Sequence, residues 1–243
     1  MKLGIIGYGR LGAHLGQFLK ESFQIIVYDT DLSKKKLVRE NGHIWCDDLK
    51  QIAEADIIVP FVPISSFEET IQALAPHVNE KHLIVDVCSV KVIPVEIMEK
   101  HLPKEVQILA THPMFGPDST KETLFGHKLV LCPVRIEEKL YKNIKSFLNQ
   151  FGLKIIESTP DQHDHQIANT LLLGHLVGRT LLDFGAEVHE IDTLGYRRLL
   201  KILGTVENDS WQLFEDMNKY NPHAKKMRES FLSSMNNVIG KVN

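Results

Sequence analysis

The chain has 243 residues, 43% of them hydrophobic and 24% charged, with a formal net charge of −3. This ordinary globular composition excludes a disordered or collagen-like chain. The lysines are scattered rather than striped, so there is no electrostatic footprint for nucleic acid or an anionic membrane. No window approaches the ~18 uninterrupted apolar residues of a membrane span, since even the stretch near Leu171 carries His175 and Arg179. Cys46, Cys88 and Cys132 are odd in number, far apart and form no C-x-x-C pair, which argues against a disulfide framework or a structural zinc site. The sequence opens directly into an apolar run and a glycine turn, without the pattern of an export signal. The expectation is a soluble cytoplasmic protein.

From Lys2 to Leu153, apolar runs of strand length alternate with amphipathic stretches of helix length, the rhythm of βαβ units around a mostly parallel sheet. Strands are predicted at Leu3–Ile6, Gln24–Tyr28, Ile57–Phe61, Leu83–Val87, Gln107–Ala110, Lys128–Leu131 and Lys154–Glu157. Helices are predicted at Arg10–Lys20, Ser33–Glu40, Phe67–Ala75 and Glu137–Phe151, with a short one bracketed by Pro94 and Pro103. Past Glu157 the pattern turns to long helical stretches, Pro160–Val188, Thr193–Leu203, Asp209–Tyr220 and Pro222–Val242. The fold expected is α/β, an N-terminal mostly parallel sheet over residues 1–156 followed by an all-helical domain over 157–243.

The first motif is Gly7-Tyr8-Gly9-Arg10-Leu11-Gly12, which follows a strand and opens a helix. In that context it reads as a dinucleotide-binding, Rossmann-type fingerprint. Gly7 permits the tight turn, Gly9 lets the backbone approach the pyrophosphate, and Gly12 allows close helix–strand packing. Asp29 ends the second strand, seventeen residues beyond Gly12. A carboxylate there accepts hydrogen bonds from ribose hydroxyls and repels a 2′-phosphate, so NAD is favoured over NADP; Lys34 and Lys35 nearby weaken that preference. Phe61-Val62-Pro63 ends another strand and would help pack the dinucleotide, or simply terminate the strand.

D-V-C-S-V-K, Asp86 to Lys91, also ends a strand, and its Ser89 hydroxyl and Lys91 ammonium could both reach a ligand. The plainer alternatives are a helix cap and a solvent-facing lysine. T-H-P-M-F-G-P, Thr111 to Pro117, places His112 just past an apolar strand. Pro113 disfavours a helical conformation at the histidine and Gly116-Pro117 fixes the chain beyond it, so a stiff loop is expected there. Imidazole is suited to accept a proton near neutral pH. His163 and His165 lie two residues apart on a predicted helix and so on different faces; no metal site is expected.

Taken together, the glycine fingerprint, D-V-C-S-V-K, T-H-P-M-F-G-P, H-D-H at 163–165, H-L-V-G-R at 175–179, I-D-T-L-G-Y at 191–196 and N-D-S-W at 208–211 resemble the prephenate/arogenate (cyclohexadienyl) dehydrogenases of tyrosine synthesis, and most of all the plant-type arogenate branch. The resemblance implies an oxidative decarboxylation with hydride transfer to NAD(P), acting on arogenate or prephenate. It implies His112 as the base for the substrate's 4-hydroxyl, and Ser89 as a hydrogen-bonding partner of that hydroxyl or of the imidazole. Lys91 and His175 become substrate contacts, the helical domain the closing element over the crevice, and the assembly a homodimer through the helices. Asp209 matches the position where an acidic residue goes with arogenate: an ammonium can pair with it, whereas the keto group of prephenate offers no donor. It could equally cap a helix.

Three departures stand out. Leu171 occupies the place of a glutamine in the plant-type pattern. The arginine with which the bacterial branch binds a substrate carboxylate is missing before Asn208; Arg179, Arg197, Arg198 and Lys201 are candidates to replace it. Asp29-Thr30 stands where NADP-preferring relatives carry a small polar residue and an arginine. Imine or 3-hydroxy-acid reductases of similar build, or a dinucleotide sensor without turnover, are the rival readings.

Overall fold

A computed structural model describes residues 1–242. It divides into two compact units, Met1–Pro160 and a second from Asp161 onward.

The first unit is one eight-stranded sheet of β1 (Lys2–Ile6), β2 (Gln24–Tyr28), β3 (Ile44–Trp45), β4 (Ile57–Pro60), β5 (Leu83–Asp86), β6 (Gln107–Pro113), β7 (Lys128–Arg135) and β8 (Lys154–Glu157). Its helices are α1 (Arg10–Leu19), α2 (Lys35–Glu40), α3 (Phe67–Leu74), α4 (Val92–His101) and α5 (Glu138–Asn149). The strand order is β3-β2-β1-β4-β5-β6-β7-β8. Every pairing is parallel except β6–β7. The winding reverses between β1 and β4, and open sheets of this kind bind ligands at such a switch point, outside the carboxyl ends of the strands.

The strands form because their β-branched and aliphatic runs are covered on both faces. Ile5, Val27, Ile58, Ile84 and Ile108 are wholly buried, each stabilising the fold by about 1.5–3 kcal/mol relative to exposure. Helix α1 seats Gly12, Leu15 and Gly16 on the sheet, and α5 contributes Tyr141, Ile144 and Leu148 to the same layer.

Three strands differ from the sequence expectation: β3, β6 and β7, the last running four residues past its expected end at Leu131. The two-residue β3 is too short to leave a periodic signal. The strand expected to end at Ala110 instead runs to Pro113, since β7 pairs it antiparallel through His112↔Val130 and Pro113↔Leu129. Pro113 does hold His112 out of a helix, but the extended backbone it favours is captured by a ladder rather than left as a loop. The register of this pair shifts between Ile108 and Leu109, opposite Pro133; a proline has no N–H to give a regular ladder, and a bulge tolerates it.

The second unit carries α6 (Pro160–Ile167), α7 (Leu173–Phe184), α8 (Leu194–Leu200), α9 (Trp211–Tyr220) and α10 (Ala224–Ile239). The single stretch expected from Pro160 to Val188 is interrupted by a π-helical turn at Ala168–Leu172. It closes with Leu173 N–H donating to the Ala168 carbonyl, an i→i+5 bond that shifts the phase of everything after it. Gly185, left-handed at φ 76°, ends α7.

Among the described residues no helix is long and apolar enough to cross a membrane.

Candidate functional site

At the switch point of the first unit lies a cleft of about 620 Å³, bounded among others by Gly7, Gly9, Asp29, Thr30, Phe61 and Pro63. This is within the ~300–1,000 Å³ usual for ligand pockets. The three fingerprint glycines differ in what a side chain would meet. At Gly7, φ is +89° and an added Cβ would lie 2.5 Å from the Phe61 carbonyl oxygen; at Gly12 it would lie 2.5 Å from the carbonyl oxygen of Gly7. At Gly9 nothing lies within 4 Å. Gly7 and Gly12 are therefore demanded by the fold, whereas Gly9 keeps open the space in front of the N-terminus of α1. The residues fit a dinucleotide phosphate there, with helix N–H groups behind it.

Asp29 is almost wholly buried. Its carboxylate accepts from Tyr8 N–H at 2.6 Å, Asp31 N–H at 2.8 Å and Lys34 Nζ at 3.0 Å. With about four lone-pair positions on a carboxylate, one acceptor position remains, and Asp29 lines the cleft. The Tyr8 ring is buried in the core, its hydroxyl accepts from Asn41 at 2.9 Å, and its N–H donates to Asp29. Burial raises its pKa, so the phenol stays neutral. Leu11, partly buried, packs against the apolar layer beneath α1. Arg10 makes two hydrogen bonds to Asp118, at 2.8 and 2.7 Å, tying the glycine turn to the loop after T-H-P-M-F-G-P. Pro63 is exposed at the cleft rim.

The carboxyl ends of β5 and β6 bring Ser89 and His112 to one edge. The strands pair Asp86 with Ala110; Ser89 follows three residues beyond that pair and His112 two. Thr111 and Pro113 line an apolar trough on one sheet face, so strand alternation turns His112 to the other. Its ring is buried, and Ser89 is half-buried.

Lys91 departs from its solvent-facing reading. It is wholly buried, and its ammonium pairs with the Asp86 carboxylate. The other Asp86 oxygen accepts from Cys88 N–H at 2.7 Å, and the Asp86 carbonyl accepts from the Thr111 hydroxyl at 2.7 Å. Asp86 thus fastens the Ser89 loop to the strand of His112. A carboxylate five residues before a lysine was the available signal, and burial, which sequence does not display, decides its meaning.

In the second unit His175 is buried, and its Nε2 lies 3.4 Å from Asp209 Oδ2. Its pKa is lowered, first by desolvation and further by Arg179, against an upward pull from Asp209. Asp209 is not the cap of α9. Ser210 is, its Oγ accepting from Leu213 N–H, so the Asp209 carboxylate stays half-exposed. Arg179, one turn after His175, donates from Nη2 to the carbonyls of Asp209 and Ser210 at 2.8 and 3.1 Å. Arg197 pairs with Asp192 at 2.6 Å.

A family model described as prephenate dehydrogenase, nucleotide-binding domain, matches residues 15–157. A second, described as TYRAAT1-like, C-terminal domain, matches residues 180–242. Arogenate dehydrogenase 2, chloroplastic, of Arabidopsis thaliana is 31% identical over 94% of this chain and 66% of its own length. A probable arogenate/prephenate dehydrogenase of Methanocaldococcus jannaschii is 29% identical over 96% of the chain and 54% of its own length. The chain thus spans between about half and two thirds of the length of these relatives. The crystal structure of prephenate dehydrogenase from A. aeolicus, in complex with hydroxyphenyl propionate and NAD+, superposes with a TM-score of 0.80 at 21% identity, covering all of this chain and 91% of that one. At that identity the likeness establishes the fold, a nucleotide-binding sheet followed by helices. The first family match spans more than half of the sequence, and the chain belongs to the prephenate dehydrogenase family.

Proposed function

We propose that the protein oxidatively decarboxylates a cyclohexadienyl acid, with arogenate preferred to prephenate and NAD preferred to NADP. Residues 1–156 bind the dinucleotide; residues 157–243 read the substrate side chain and dimerise. The observation that carries the reading is His112, buried at the carboxyl end of β6, with Ser89 at the same edge of the adjacent strand.

When bound, NAD supplies the hydride acceptor. His112 takes the proton of the substrate's 4-hydroxyl as the ring C4–H leaves as hydride and the ring carboxylate leaves as CO2, and the product ring becomes aromatic. Ser89 orients that hydroxyl or the imidazole. The fold contributes alignment and a base rather than a large driving force, since aromatisation makes the step downhill. Gly9 and the N-terminus of α1 receive the pyrophosphate, and Asp29 the adenosine ribose. Asp209 pairs with the ammonium that distinguishes arogenate, beside His175. The name of the Arabidopsis relative supports arogenate. Lys91 has no direct substrate role in this reading.

Exposed apolar side chains of the second unit support a homodimer. Phe184 and Ile191 are 82% and 95% exposed, and Leu232 and Val238 on α10 are 59% and 62% exposed. Three buried cysteines suit a reducing cytoplasm.

The deciding experiment is NADH formation with arogenate and prephenate at equal concentration, in parallel with NADP. Turnover of arogenate with NAD is the expected result. No turnover of either acid with either cofactor sinks the reading and favours a sensor or another reductase. Light scattering of the purified chain at twice the monomer mass is expected for the dimer.

A further inference from the structure

Helix α7 places His175 and Arg179 four residues apart, on one face. Both side chains turn to the segment that leads into α9. Arg179 Nη2 donates to the Asp209 carbonyl at 2.8 Å and to the Ser210 carbonyl at 3.1 Å. Its guanidinium carbon lies 5.0 Å from the Trp211 ring centroid and 5.2 Å from that of Phe214. The plane of the guanidinium is thus held by two aromatic rings while its Nη2 holds two consecutive carbonyls. A lysine has no planar group to stack on the rings while it reaches those carbonyls.

What is clamped is the joint on which Asp209 hangs. Asp209 N–H closes a turn on the Val206 carbonyl at 3.3 Å, and Ser210 starts α9 as its cap. Between these two anchors the direction of the Asp209 side chain depends on one peptide, and Arg179 fixes that peptide from its carbonyl side. The carboxylate then stands 3.4 Å from His175 Nε2 with 37% of its side-chain surface still accessible. Arg179 spends its hydrogen bonds on carbonyls, not on this carboxylate. The buried Nδ1 of His175 has no hydrogen-bond partner; protonating it would bury an unsatisfied N–H, which costs about 1–3 kcal/mol. The ring therefore stays neutral and stands beside the carboxylate without cancelling its charge.

We infer that Arg179 is a positioning residue for substrate specificity: by clamping the Asp209–Ser210 backbone it aims the Asp209 carboxylate at an ammonium group, and so sets the preference for an amino-terminated over a keto-terminated side chain. The inference rests on the proposed reading of Asp209.

The test is steady-state kinetics of the parent enzyme, Arg179→Lys, Asp209→Asn and the double variant, on arogenate and on prephenate at saturating NAD, with the melting temperature of each. Arg179→Lys is expected to raise KM for arogenate about tenfold with kcat within twofold of the parent, and to leave KM for prephenate unchanged. In the Asp209→Asn background the same change should alter the arogenate-to-prephenate ratio no further, because there is no longer a carboxylate to aim. Parallel losses on both substrates, or full additivity in the double variant, would show a merely structural arginine and overturn the inference while leaving the proposed function standing. A parent without preference for arogenate overturns it as well. A parent that turns over neither acid removes the functional reading and the inference together.

Discussion

His112 and Asp209 are held in place by different means. The backbone of His112 belongs to a hydrogen-bonded ladder, opposite Val130, and its neighbour Thr111 is bonded to the Asp86 carbonyl. Asp209 lies in a non-repetitive joint, held by a side-chain cap next to it and by a guanidinium one helix away. On the proposed reading, the base that must meet one proton is built into a hydrogen-bonded strand, and the group that decides between substrates sits where one or two side chains can re-aim it, so the chemistry is expected to tolerate less change than the selectivity does.

The strongest way to break this contrast is at His112. Replacing it with Asn removes the base while keeping a polar side chain of similar reach, and kcat/KM should fall about 10²–10⁴-fold with NADH affinity unchanged. Steady-state rates and fluorescence titration of NADH check both halves, and a loss smaller than tenfold would mean that the base lies elsewhere.

The support beneath that edge should be nearly as sensitive. Asp86 and Lys91 are both wholly buried, and Asp86→Asn leaves an ammonium without its countercharge. Removing one partner of a buried pair costs about 3–5 kcal/mol, whereas replacing both by apolar groups of similar volume is often neutral or better. Urea denaturation should therefore show Asp86→Asn strongly destabilised and Asp86→Leu/Lys91→Met largely recovered. A double variant as unstable as the single one would show that the pair is not what ties the Ser89 loop down.

The glycine turn separates fold from ligand within a single motif. Gly12→Ala pushes a Cβ to 2.5 Å from the Gly7 carbonyl and should cost about 1–3 kcal/mol of stability by overpacking. Gly9→Ala meets nothing in the protein, so its melting temperature should hold while NADH affinity drops. Equal melting losses for the two would contradict the division of roles drawn from the geometry.

These contrasts also mark what the sequence made legible. The sheet, its carboxyl edge and the turn and packing roles of Gly7 and Gly12 are readable because each rests on local pattern: strand-length apolar runs, a glycine fingerprint in strand–helix context, a proline after His112. Three features were not readable, each for a physical reason. β7 extended β6 through His112 because ladder pairing is non-local. Lys91 turned inward because Asp86 and the surrounding sheet bury it, and a lysine considered alone belongs in water. The π-turn at Ala168–Leu172 was invisible because it inserts a residue into an otherwise continuous helical period. The H-L-V-G-R motif beyond it is therefore legible only as a string, which does not show that Arg179 faces the backbone of Asp209. Ser210 rather than Asp209 caps α9 for a similar reason: adjacent Asp and Ser are both good caps, and only the backbone geometry chooses. Ser210→Ala should accordingly cost about 1 kcal/mol, measurable by thermal melting, whereas Asp209→Ala should cost less.

The smallest effect is in the response to acid, where each unit has a buried histidine whose pKa is lowered. In the first, His43 is buried against Tyr8, 5.8 Å between ring centroids, with an Nε2 that has no hydrogen-bond partner; its pKa is lowered by desolvation and then by Lys20. In the second, His175 is lowered mainly by desolvation. A histidine whose folded pKa lies below the ordinary 6.5 binds its proton more readily in the unfolded chain. The stabilisation is therefore complete above about pH 6.5 and is lost as pH falls from there through the folded value. Melting curves between pH 7.5 and 5 should show the parent losing stability across that window, and His43→Gln or His175→Gln should flatten the dependence, each by its own share. Because Asp209 opposes the shift at His175 and no carboxylate does so at His43, the larger share is expected from His43. The reverse order would mean that burial at the recognition cluster outweighs the pull of its carboxylate, and that the second unit is the more acid-sensitive of the two.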